Sequence, residues 1–72
     1  MYELDLHGVK HADVYSEVDR FIYKQQQRQA KEVTIQTGNS ERMKQLVNEC
    51  LADYGMKGKE SMLNNGVLIV TL

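Results

Sequence analysis

Proline and tryptophan are absent from these 72 residues, and cysteine and phenylalanine occur once each. The lone thiol, Cys50, excludes an internal disulfide, and no cysteine or histidine spacing resembles a zinc site, so a reducing compartment is expected. No apolar run approaches the roughly 20 residues that cross a bilayer. No charge of one sign dominates either. Nine Lys and Arg against ten Asp and Glu leave a net charge of −1 and a pI of about 6.1. That excludes a general basic coat for nucleic acid while leaving room for a local basic patch. There is no linker, repeat or domain boundary, so one domain over residues 1–72 is expected. The start, Met1-Tyr2-Glu3-Leu4-Asp5, is acidic and lacks the layout of a secretion signal, so the expected location is cytoplasmic.

What the chain does hold is regular patterning. It is 42% hydrophobic and 26% charged. Its apolar residues recur with periods that a disordered segment would not keep. Tyr2–His7 alternates strictly, with Tyr2, Leu4 and Leu6 on one face and Glu3, Asp5 and His7 on the other. This is a half-buried strand, broken by Gly8. From about Ala12 to Arg28, Val14, Val18, Phe21 and Ile22 fall on one helical face. The glutamine-rich stretch Lys24–Gln29 reads as the exposed side of that helix. Lys31–Gln36, rich in β-branched residues, is a second strand.

Thr37-Gly38-Asn39-Ser40 is then a turn, with Asn39 or Ser40 as helix cap. Met43, Leu46, Val47, Cys50, Leu51 and Tyr54 form the clearest helical stripe, and Gly55 is its expected stop. Asn65-Gly66 is a two-residue turn signal between Lys59–Asn64 and the apolar Val67–Leu72. The order is β-α-β-α-β-β. Right-handed crossovers put both helices on one face of a mixed four-stranded sheet, an α/β two-layer sandwich. Val67 and Ile69 fall on the uncovered face, where they mark an apolar patch.

Ligands of such sheets bind beyond the carboxyl ends of parallel strands. That edge carries His7, Gly8, Lys10 and His11 after the first strand. It carries Thr37, Gly38, Asn39, Ser40, Arg42 and Lys44 after the second. Amides at two helix starts would favour an anion, phosphate above all. In the first helix, Asp13 and Glu17 come early and Arg20, Lys24 and Arg28 late, an order that suits the helix dipole and needs no ligand. The second helix places Arg42 and Lys44 at its positive end, against that rule, and with Lys10 they make a cluster that a phosphate would neutralise.

Asp5 and His7, two apart on a strand, are either a solvated polar face or a carboxylate supporting a proton-transferring imidazole. A metal on Asp5 and His7 with His11 is a third reading, with no second cluster beside it. Gly8 and Gly38 also serve plain turn geometry, and Thr37 and Asn39 local backbone satisfaction. Cys50 reads as packing.

The string Leu4-Asp5-Leu6-His7-Gly8, the Thr37-Gly38 turn and the ending Gly66-Val67-Leu68-Ile69-Val70-Thr71-Leu72 together resemble the small MutS-related (Smr) domain. The likeness runs over essentially the whole chain. It implies a sandwich like the carboxy-terminal domain of translation initiation factor three. It also implies nucleic-acid binding, and often endonuclease activity on DNA or RNA. The family's functional residues map onto Asp5, His7, Gly8, Thr37 and Gly38. Two positions depart from the family pattern. Ser40 stands where a second glycine is usual, and Lys10 where a small cap is common.

The resemblance therefore leads to an endonuclease in which Asp5 and His7 are catalytic. Gly8, Lys10, Thr37, Gly38, Asn39, Ser40, Arg42 and Lys44 would bind phosphate. A divalent ion (Mg or Mn), held partly by Asp5, would be required only if DNA is the substrate. The rival readings are a non-catalytic nucleic-acid or ribonucleoprotein binding module, and a domain that dimerises through Val67 and Ile69.

Overall fold

A computed structural model describes residues 2–64 and 66–72. The elements run β1 (Glu3–Asp5), a 3-10 turn (His11–Asp13), α1 (Val14–Gln27), β2 (Glu32–Gln36), α2 (Glu41–Ala52), β3 (Gly58–Glu60) and β4 (Val67–Thr71). The expected β-α-β-α-β-β order holds. The four strands form one sheet in the order β1-β2-β4-β3. β1 pairs parallel to β2, whereas β4 runs antiparallel to both β2 and β3. The β3–β4 hairpin thus inserts its return strand into the middle of the sheet.

Alternation decides what each face meets. Leu6, Val33, Ile35, Leu68 and Val70 point to one side, where they bury against Val14, Val18 and Ile22 of α1 and Met43, Leu46, Val47, Cys50 and Leu51 of α2. Both helices lie on this side, and the other face of the sheet has no helix. Cys50 is 2% exposed, a packing residue as expected. Gly58 lets α2 approach β3 closely. A Cβ there would sit 3.0 Å from Asn48 Oδ1 and 3.1 Å from Leu68, and its N–H donates to that same Asn48 oxygen.

Four local expectations shift. β1 ends at Asp5, so His7 lies beyond the strand and not on it. α1 begins at Val14, because the first turn of the expected helix is taken by 3-10 geometry. The glutamine stretch is not all surface. Gln25 is 5% exposed, and Gln29 adopts φ 59° to close the helix, with its N–H on the Gln26 carbonyl. β3 is shorter and earlier than Lys59–Asn64. Its pairing stops at Glu60 opposite Leu68, and residues 61–66 connect the strands. Asn64 holds that connection, since its side chain accepts from Gly66 N–H and its carbonyl from Val67 N–H. The expected Asn65-Gly66 turn includes Asn65, which lies outside the described residues. Among the described residues no helix is long and apolar enough to cross a membrane.

Candidate functional site

Parallel pairing brings the ends of β1 and β2 side by side. Asp5 is level with Gln36, and Leu6 N–H donates to the Gln36 carbonyl at 3.0 Å. One residue further on, the two chains leave the sheet along the same edge. β4 starts here too, with Val67 opposite Gln36. The loops that follow β1 and β2 therefore leave from one edge, which the start of β4 shares.

His7 occupies a defined corner. The carbonyl of Leu6 accepts from Val9 N–H at 3.0 Å, which closes a four-residue turn over His7 and Gly8. Gly8 has φ 80°, the positive value that the third residue of a type II turn requires. No atom lies within 4 Å of a Cβ built at Gly8, so backbone conformation alone asks for glycine. The turn lifts His7 into solvent, where its ring is exposed. Asp5 acts on this turn through the main chain. Its carboxylate accepts the His7 backbone N–H at 2.8 Å. Asp5 thus fixes where His7 leaves the strand, a different link from the side-chain partnership its spacing suggested.

The second loop is tied down from the opposite side of the sheet. The Gly66 carbonyl accepts Thr37 N–H at 2.7 Å and Gly38 N–H at 3.0 Å, with the Thr37 hydroxyl 3.2 Å away. Thr37, 7% exposed, therefore serves the loop's own structure, and the two amides of the Thr-Gly pair are already used. Gly66 must be small as well. A Cβ there would lie 3.1 Å from both Cα and C of Gly38. Its role in the edge was not legible from Asn65-Gly66, which reads locally as a hairpin signal. The glycine that opens the last strand was the only hint. Gly38 itself has φ 69°.

Ser40 caps α2 as expected, its Oγ accepting Met43 N–H at 3.1 Å. The amides of Glu41 and Arg42, ahead of this capped position, carry the positive end of the helix dipole. α1 offers no equivalent. Its 3-10 turn uses the first amides, with Asp13 N–H on the Lys10 carbonyl and Val14 N–H on the His11 carbonyl. The two helix starts therefore differ in form: α2 opens on a capped first turn and α1 on a 3-10 turn.

The cations separate in the same way. Arg42 is exposed and touches Gln45 on its own helix at 3.3 Å. Lys10 is exposed and borders an open groove of about 420 Å³ shared with Gly8, Ser16 and Arg20, in which Asp13 and Glu17 balance the charge. Lys44 turns away from the edge. It is 7% exposed, and its ammonium lies 2.8 Å from Glu60 and 3.5 Å from Glu41. The hydrogen bond to Glu60 raises its pKa above the usual lysine value. Position 44 faces the sheet side of α2, so its charge closes a structural pair with β3 and is not offered to a ligand. Asn39 is exposed on the 37–40 loop.

Among the described residues no group of three or more His, Cys, Asp and Glu side chains gathers as metal ligands do. His11 belongs to the 3-10 turn and does not extend the Asp5–His7 pair. One carboxylate, already bonded to an amide, and one imidazole do not make a protein-held metal site.

The comparisons with known proteins agree with this architecture. No relative is found among curated proteins. The Smr domain of Thermus thermophilus MutS2 superposes with a TM-score of 0.86 at 21% identity, over 97% of this chain and 95% of that one. YdaL, a stand-alone small MutS-related protein from Escherichia coli, gives 0.76 at 17% identity, over 99% of this chain and 63% of its own. The family model of the Smr domain matches residues 4–72. Four-stranded mixed sheet, paired helices on one face and a match of nearly full length lead to one conclusion: the chain belongs to the Smr domain family.

Proposed function

We propose that this Smr domain binds the phosphodiester backbone of RNA at its strand-end edge and cleaves it, with His7 as the proton-transfer group. The observation that carries this reading is the exposed His7, held at the corner of a tight turn on the sheet edge where β2 also ends and the chain leaves for the capped start of α2. A phosphate seated on the Glu41 and Arg42 amides, with the Arg42 guanidinium beside it, is bound by dipole and charge together. In RNA the neighbouring 2′-hydroxyl attacks phosphorus while His7 takes its proton. The P–O5′ bond then breaks, the 5′-oxygen takes back that proton from the His7 imidazolium and leaves as a hydroxyl, and a 2′,3′-cyclic phosphate remains. This chemistry asks for an imidazole at the edge and no metal from the protein. Asp5 is a positioning residue, acting through the His7 main chain. On DNA a water must attack, and the ion that such chemistry commonly uses would need ligands beyond Asp5.

Cleavage of labelled RNA and of supercoiled DNA, each with and without chelator, tests the proposal. Wild type should cleave RNA in chelator, and His7→Ala should lose at least about 100-fold, the lower bound for removing a general acid–base group. Equal cleavage by the variant, or none by wild type, removes the catalytic reading.

A second reading, binding without cleavage, draws on the bond of the Asp5 carboxylate to an amide in place of the imidazole ring. In that case His7→Ala binds RNA as wild type does, and neither protein cuts it.

A further inference from the structure

The uncovered sheet face is self-complementary. Strand register places Glu3 of β1, Thr34 of β2, Ile69 of β4 and Lys59 of β3 in one row across it. The row begins with an exposed carboxylate and ends with an exposed ammonium, and Thr34 and Ile69 between them are half-buried. Among the described residues neither Glu3 nor Lys59 has an ion-pair partner, and the Glu3 carboxylate accepts one hydrogen bond, from the Gln36 amide at 2.7 Å, which leaves its charge unpaired. In the neighbouring rows Val67 lies beside Gln36 and Thr71 beside Glu32. Along β3 and β4 the face deepens into a groove floored by Ile69 and walled by Met62 and Leu63. Those two apolar side chains are each 97% exposed, which leaves them the least protected large hydrophobics among the described residues.

We infer that this face docks a second copy of the same chain. A two-fold axis parallel to the strands, between β2 and β4, lays one sheet over the other. It carries β1 of each copy onto β3 of its partner without shifting the rows. Glu3 of each copy then meets the partner's Lys59, and Ile69 covers the partner's Thr34. A partner without this pattern would leave a carboxylate or an ammonium unmatched, and the chain itself satisfies both ends at once. Two strands of five residues and two of three, about 4.8 Å apart with about 3.3 Å per residue, give a contact of roughly 250 Å² of flat area per copy. That is well below the ~800 Å² per partner of a standard interface, so the dimer is weak and concentration-dependent. Because the axis follows the strands, both strand-end edges lie at the same end of the dimer, open and side by side. The inference stands whether or not that edge cleaves RNA.

Sedimentation velocity on the 72-residue chain from micromolar to millimolar concentration tests the dimer. A reversible monomer–dimer equilibrium is expected. Glu3→Lys and Lys59→Glu should each weaken it at least tenfold, and the double variant Glu3→Lys/Lys59→Glu should recover it. Circular dichroism establishes that each variant is folded. Ile69→Arg, which keeps the rim charges, should also abolish the dimer. A monomer at every concentration overturns the inference and assigns the face to a different occupant. A dimer that neither single variant weakens overturns it too, as does a double variant that fails to recover.

Discussion

Two basic residues two positions apart on α2 have opposite duties. Arg42 is exposed at the strand-end edge, whereas Lys44 is buried against Glu60. Replacing Arg42 by Ala should weaken RNA binding and lower the slope of log affinity against log salt by about 1, as loss of one phosphate contact does. Lys44→Met should leave that slope unchanged while lowering the melting temperature, because Glu60 loses its partner. Binding isotherms at several salt concentrations, with melting curves for both variants, check the pair. If Lys44→Met alone changed the slope, Lys44 would belong to the site. From sequence the two look alike. Which one faces solvent depends on the rotation of α2 over β3, and that is fixed by packing at Gly58 and Leu68.

At the scale of elements, termini carry the instructive detail. α2 ends as its sequence predicts, with Gly55 at φ 71°. α1 ends on Gln29 at φ 59°, a conformation that costs a side-chain-bearing residue about 1–2 kcal/mol relative to glycine. Glycine would give back roughly 0.4–1 kcal/mol through its freer unfolded chain. Gln29→Gly should therefore stabilise by about 0.5 kcal/mol, measured by urea unfolding, and a loss of stability would refute this account of the helix end. The strand ends matter more for function. His7 belonged by alternation to β1, yet a tight turn at Gly8 takes it off the strand and leaves it exposed at the edge. The Thr37-Gly38 pair was legible as a loop at that edge. Its amides nevertheless face Gly66, because β4 runs antiparallel beside β2 and begins where the loop leaves.

For the molecule as a whole, contacts between elements set how it responds to pH. The Tyr54 hydroxyl, just past α2, donates to the Asp19 carboxylate on α1. That hydrogen bond, with burial and the Asp19 charge adding to it, pushes the phenol up to about 12 from 10.0. The folded pKa lies above the unfolded one, so the contribution is complete below about pH 10 and is lost as pH rises toward 12. Unfolding free energy should fall across that window in wild type and fall less in Tyr54→Phe. Absorbance titration should find one of the four tyrosines ionising near 12. An absorbance titration that Tyr54→Phe leaves unchanged at its alkaline end would remove the link.

Periodicity by itself determined the order of elements, the two helical stripes, the core and the edge on which polar groups collect. Those features follow from side chains one to four residues apart, and the chain carries that information locally. Tertiary structure alone decided that Lys44 pairs with Glu60, that Gly66 consumes the Thr37 and Gly38 amides, and that Gln25 is buried. Each of the three depends on residues brought together by packing, and no local period encodes which partner a backbone amide or a charged side chain will meet.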